Sequence, residues 1–427
     1  MGDGESGEGP IGSAMRRPSR RRVFGWSAGA GAAVALGAAG CASAQGGGAG
    51  GSPSASASTG ADATARVSAP AATGVLAANY NQSLDAIDFS ELEAVSATWV
   101  RCFYLMQDAD HGTVAGQTGM RKLLEAVDRG YGTVLTLKFN YDSGLPAPGS
   151  PEMRTALDRL DKVLAVAMDK VSILGVGNEP FYETAKADRE SSRINEFYES
   201  LAQHVIQYRD AHFGSGSRTR IYMGALTGLD KPEQRTPQTK RWMTFVAQNR
   251  AISGVDIHPH VASAAEAQEY VDYVRPYLRD DQRFLATEFS LVQLWKAHLS
   301  DPAPSDFAKR YGLPAGTLVW QVIQDALKQP FSEQKWNEFV DSCDWFQAHR
   351  SFLTAQMARF RKTGKLAVAG YGISQDAAMS SQFGPHKTPW VLNSVFCPHT
   401  VQQGSDGLPG RNLTWFDEFR SIDGRQG

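Results

Sequence analysis

A single parallel α/β domain, closed into a (β/α)8 (TIM) barrel with a long helical insertion between strands 7 and 8, is what the sequence predicts, on three observations. From Thr73 onward, short apolar runs alternate with amphipathic segments, the pattern of strands each followed by a helix. Eight such runs can be counted, the number that closes a barrel. The fourth and the seventh both end on a glutamate, in Asn178-Glu179-Pro180 and Thr287-Glu288. An ionisable group at the carboxyl end of a buried strand is poorly placed for packing and well placed for chemistry, because barrel enzymes carry their active sites on that face.

In chain order, the first strand is expected at 74–79 and a short helix at 89–95. The second strand, 97–104, is apolar except for Arg101. A helix over 120–130 is stopped by Gly130, and the Thr- and Val-rich run 132–139 is the third strand. Ser150 and Pro151 have the chemistry of an N-cap and a first helical residue, and Leu157, Leu160, Leu164 and Met168 form the buried stripe behind them. That helix leads into the fourth strand, 171–176. Ile194, Phe197, Leu201, Val205 and Tyr208 share one face of the next helix. The run 218–226 is the fifth strand, Thr236-Pro237 starts a helix, and 254–258 is the sixth strand. Ser263 and Glu266 have the spacing of a capping box, 283–288 is the seventh strand and 365–371 the eighth. The stretch 289–364 is far longer than the usual link of a few residues and holds Trp295, Trp320, Trp336 and Trp345. Because it follows Glu288, it is expected on or beside the active face, with Trp320 and Trp336 packing its own helices.

The chain before the barrel is of another kind. Ser19-Arg20-Arg21-Arg22-Val23-Phe24, a weakly apolar Ala/Gly-rich run and the small residues Cys41-Ala42-Ser43-Ala44 make residues 1–44 a twin-arginine export signal. The run is too short and glycine-rich to read as a membrane span. Ala38-Ala39-Gly40-Cys41 resembles a lipobox lacking its usual leucine, so Cys41 is expected to be lipidated; cleavage after Ala44, giving a free secreted protein, is the alternative. Residues 45–72 are Gly, Ser, Ala and Thr with little apolar bulk, the composition of a flexible linker. The domain itself is then 73–427.

Composition narrows the partners. Removing the five arginines and three acidic residues before Gln45 takes the net charge from −2 to −4, which leaves no basic surface for nucleic acid. Membrane contact is expected only through the lipid anchor, and the protein is expected to be a monomer at the cell surface or secreted. Cys102, Cys343 and Cys397 remain; export permits a disulfide, and the odd number leaves at least one thiol over. No zinc-type cysteine spacing is present. His258 and His260 make a two-histidine pair with no third ligand visible, so no metal and no cofactor are expected. Asp108, Asp110 and His111 read as a polar loop lining the cleft.

With these residues in place, the chain resembles a clan A glycoside hydrolase, the large group of retaining (β/α)8 glycosidases. The resemblance covers the domain from about Thr73, but its motifs are short: an Asn-Glu pair ending the fourth strand and a Glu ending the seventh. It implies Glu179 as general acid/base and Glu288 as nucleophile, on opposite sides of one sugar. It also implies that Glu179 stays protonated near neutrality, that Asn178 bonds the sugar 2-hydroxyl, and that Arg101 holds Glu288 ionised. His258 matches a family histidine, often followed two residues later by tyrosine; here His260 stands instead. Relatives place a tryptophan at the eighth strand, where this chain has Tyr371, so Tyr371 or Trp390 is expected to take over its stacking role, with Trp295 as a further platform. The implied function is an exported retaining β-glycosidase acting on an oligo- or polysaccharide. The alternatives are a non-catalytic carbohydrate-binding lipoprotein on the same scaffold, which the intact glutamates disfavour, and a metal-dependent hydrolase.

Overall fold

The computed structural model describes residues 68–141 and 144–423. The export signal, Cys41 and most of the linker lie outside them. Eight parallel strands, β1 (Val75–Ser83), β2 (Trp99–Leu105), β3 (Gly132–Lys138), β4 (Ile173–Val176), β5 (Arg220–Thr227), β6 (Ile252–His258), β7 (Arg283–Ala286) and β8 (Leu366–Ser374), pair in chain order, and β8 closes on β1. The (β/α)8 expectation holds in strand number and order. Strand ends differ from the expectation: β1 runs on to Ser83 and β8 to Ser374, β4 starts only at Ile173, and β7 stops at Ala286, so Glu288 lies just past it.

Strand residues alternate between the barrel interior and the helical layer. The interior is filled near the amino ends by Val75, Ala77, Trp99, Val134, Ile173, Tyr222, Leu285 and Val368, which pack as a small apolar cluster of their own. Two residues further along the same faces the chemistry changes: Asn79 follows Ala77, Arg101 follows Trp99, Thr136 follows Val134 and Thr287 follows Leu285. An apolar plug thus supports a polar layer, and the polar layer supports the mouth. The opposite faces of the strands join a much larger core shared with the helices.

Helix starts follow local side-chain chemistry. Ser150 accepts from Met153 N at 3.1 Å ahead of the helix Pro151–Ala167, and Thr236 from Thr239 N at 3.3 Å ahead of Pro237–Gln248. Ser263 caps Ala264–Val274, but Glu266 reaches past it to the Ala262 N–H (2.8 Å) rather than closing the expected box on Ser263. Asp110 is held by Arg159 of Pro151–Ala167 at 2.5 Å, which ties the 108–111 loop to that helix.

Between β7 and β8 run the helices Val292–Ala297, Ser305–Arg310, Val319–Lys328, Glu333–Asp341, Asp344–Gln347 and Phe352–Lys362. Trp336 is fully buried among them. Trp295 is fully buried as well, against Trp345, Phe346 and Trp415. The expected sugar platform at Trp295 is therefore a core residue: helix Val292–Ala297 turns that ring away from the mouth. Among the described residues no helix is long and apolar enough to cross a membrane. Cys102, Cys343 and Cys397 are free, and burial pushes each thiol up to about 12, away from thiolate reactivity.

Candidate active site

At the end of β4 the chain makes two turns that an ordinary residue resists. Gly177 has φ +103°, and a Cβ there would run into the Gly224 carbonyl and the Tyr198 ring. Glu179 itself is left-handed at φ 43°, ψ 48°, a conformation that costs a non-glycine residue on the order of 1–3 kcal/mol. Pro180, with its fixed φ, then starts the short helix Pro180–Glu183. The outcome is that Asn178 and Glu179 are both delivered to the barrel mouth.

Arg101 organises the layer beneath. Its guanidinium is fully buried and spends its donors on four side chains: Glu288 Oε1 (2.5 Å), Asn79 Oδ1 (3.0 Å), Asn178 Oδ1 (2.8 Å) and Thr136 Oγ1 (3.2 Å). A buried charge needs that degree of pairing. Asn81, with its amide nitrogen turned to the carboxylate, donates to both Glu288 oxygens at 3.2 Å. Asn178 is held on its other side by Glu183, which accepts from its Nδ2 at 3.3 Å and pairs with Lys138 at 2.5 Å.

His258 lies between the two glutamates. Its Nδ1 is 3.2 Å from Glu179 Oε1 and 3.9 Å from Glu288 Oε1. These legs laid end to end are a ceiling on the separation of the two carboxylate oxygens. The ring orientation follows from the other nitrogen. Thr287 Oγ1 donates to Asp256 Oδ2 (2.5 Å), because a carboxylate only accepts, and so it accepts from His258 Nε2–H at 2.9 Å. His260 faces the same space: Nδ1 meets Ser290 Oγ at 2.8 Å, while Nε2 is 3.5 Å from Glu288 Oε2 and 3.9 Å from Glu179 Oε1.

The charges set one another. Burial alone would favour neutral His258, but Glu288, Asp256 and Glu179 outweigh it and raise the imidazole to about 10. Burial pushes Glu288 up, and His258, Arg101 and His260 overcome this to hold it well below the usual carboxylate range. Glu179 also ends below its usual value: burial and the Glu288 charge raise it, but the hydrogen bond and charge of His258 win. The free site therefore differs from the expectation of a protonated Glu179. His258 Nδ1 stands one hydrogen bond from Glu179 and draws the shared proton toward the imidazole.

Tyr371 does not line this mouth. It points from β8 into the helical layer, fully buried against Phe289 and Trp415, with its hydroxyl on Asn393 Oδ1 at 3.0 Å. Strand alternation instead turns Gly370 and Gly372 to the interior, beside Asn79, Asn81, His260, Glu288 and Trp390 around a small cavity. Trp390 comes from the segment after β8 and stands edge-on to His260, 4.9 Å between ring centres. Of the residues named from the sequence, Glu179, Glu288, Asn178, Arg101, His258 and His260 come together with Trp390, whereas Tyr371 and Trp295 do not. Asn79, Asn81, Asp256 and Ser290 were given no role, and Thr287 was named only as the neighbour of Glu288. Their signal was present for Asn79, Asp256 and Thr287, as polar residues at interior positions of apolar strands.

No family model matches the chain, and no curated protein does. Among solved structures it is similar to an endo-1,4-beta-xylanase from Caldicellulosiruptor owensensis, at 11% identity and TM-score 0.48, over 81% of this chain and 96% of that one. It is also similar to a GH5-4 broad specificity endoglucanase from Clostridium acetobutylicum (10%, TM-score 0.45, 82% and 96%) and to a GH113 beta-1,4-mannanase (13%, TM-score 0.37, 70% and 86%).

Proposed function

We propose that the protein is a retaining β-glycosidase in which Glu288 attacks the anomeric carbon and Glu179 serves as acid and then base. The observation that carries this reading is two carboxylates converging on one histidine nitrogen at the carboxyl mouth of the barrel. The ceiling set by the 3.2 and 3.9 Å legs leaves room for the roughly 5–5.5 Å of retaining pairs and lies below most of the roughly 6.5–9.5 Å range of inverting ones. The environments also divide the labour. Glu288, bound by Arg101 and Asn81, is kept as an anion fit for attack. Glu179 touches the proton-bearing His258, so the pair together can deliver a proton to a leaving oxygen and take one from water. Trp390 is the aromatic surface beside Glu288 on which a sugar ring can stack. A carbohydrate-binding protein without activity would have no use for a buried, charge-paired nucleophile and a strained Glu179.

The test is turnover of a panel of aryl β-glycosides and polysaccharides. Glu288→Ala is expected to lose about 10⁴-fold or more in kcat on every substrate the protein accepts. Glu179→Gln is expected to lose about 10²–10⁴-fold on polysaccharide and much less on an activated aryl glycoside, whose leaving group needs no proton. Full activity of Glu288→Ala would refute the assignment.

A further inference from the structure

We propose that Glu179, His258 and His260 form a binding site for a divalent transition-metal ion of the zinc type, and that the ion, when bound, blocks the mouth. One ligand atom from each of Glu179, His258 and His260 lies within 4.8 Å of the other two, and Glu179 Oε1 is 3.2 Å from His258 Nδ1 and 3.9 Å from His260 Nε2. Zinc bonds of about 2.0–2.1 Å in a tetrahedron place ligand atoms roughly 3.4 Å apart, so the set closes on an ion by small side-chain shifts, with the ion displacing the His258 Nδ1 proton to solvent. Glu288 Oε2, 3.5 Å from His260 Nε2, is at hand as a fourth group.

The support around these atoms is what a metal ligand requires. A ligating imidazole is oriented by a hydrogen bond on its other nitrogen. Here His258 Nε2 is fixed by Thr287 and, through it, by Asp256; His260 Nδ1 is fixed by Ser290. Both rings thus turn the remaining nitrogen toward Glu179. Two imidazoles and a carboxylate suit zinc, copper or nickel and give little to magnesium or calcium, which prefer all-oxygen shells. The sequence hid the site because its third member is seventy-nine positions away from His258. An ion there would occupy Glu179, so loss of hydrolysis on binding rests on the glycosidase reading, while the binding itself does not.

The experiment is calorimetric titration of the protein with Zn2+, alongside Mg2+ and the visible spectrum of the Co2+ form. One saturable zinc site, tetrahedral Co2+ bands and no magnesium heat are expected. His260→Gln and Glu179→Gln should remove the site, and Ser290→Ala, which leaves all ligands in place, should weaken it about ten-fold. No saturable zinc binding, or binding that survives both ligand changes, overturns the proposal. Because Ser290→Ala retains every ligand, it keeps the test decisive if a ligand variant fails to fold. Zinc binding together with no turnover of any glycoside by the metal-free protein would uphold this site and sink the glycosidase reading; turnover by the metal-free protein without any zinc binding would do the reverse.

Discussion

At the scale of single residues, the clearest signal was a polar group where a strand should be apolar. Arg101 was legible for that reason, and its burial against Glu288 is what such a residue must find. What single-residue reading could not supply was the partner that settles a proton. Glu179 was expected to be protonated because a carboxylate stands nearby, yet the nearest group is His258. A second buried acid shows the opposite balance. Tyr80 OH lies 3.0 Å from both Asp88 O and Glu91 Oε2, and one hydroxyl proton cannot serve both. A protonated Glu91 resolves this by donating to Tyr80, whose own proton goes to Asp88 O. Burial raises Glu91 from 4.5 to about 7. Because the folded value exceeds the unfolded one, this group's stabilisation is complete below about pH 4.5 and is lost as pH rises through 7. Glu91→Gln, permanently neutral, should therefore gain on the order of 2–3 kcal/mol over the natural protein at pH 8 and almost nothing at pH 4.5, read by urea unfolding. An equal difference at both pH values would contradict this.

At the scale of elements, periodicity predicts a face well and its neighbour poorly. The stripe Ile194, Phe197, Leu201 and Val205 was read correctly because a helix on a barrel has one place to put it. Trp295 was misread because helix Val292–Ala297 is too short to show a period, and position relative to Glu288 was taken as direction. Tyr371 was misread for want of parity: Val368 packs in the plug beside Val75, so the alternating positions of β8 that face the mouth are Gly370 and Gly372. The two tryptophans give a matched prediction. Trp295→Ala should cost about 3–5 kcal/mol of stability and leave KM unchanged in what folds. Trp390→Ala should leave the unfolding midpoint nearly unchanged and raise KM several-fold. The reverse pattern would place the stacking surface where the sequence first suggested. Gly177→Ala, which drives a methyl into the Gly224 carbonyl, should abolish activity and lower stability together, by thermal melt and kinetics.

At the scale of the whole molecule, the barrel was legible because strand number, order and the two terminal glutamates agree with one another. Its interior is a graded stack, apolar plug, then Asn79, Arg101 and Thr136, then Glu179 and Glu288, and this gradation fixes which end does chemistry. We propose that the domain works outside the membrane on a lipid tether at Cys41. Cys41→Ser should then move the protein from the membrane fraction to the medium, whereas cleavage after Ala44 would leave it in the medium with either residue. The central claim remains the nucleophile. Incubation with the 2-deoxy-2-fluoro aryl glycoside of whichever sugar is turned over, followed by peptide mass spectrometry, tests it most directly. One glycosyl group per chain, attached to Glu288, is the predicted result; a label on another residue, or turnover of the parent glycoside with no label at all, would contradict it.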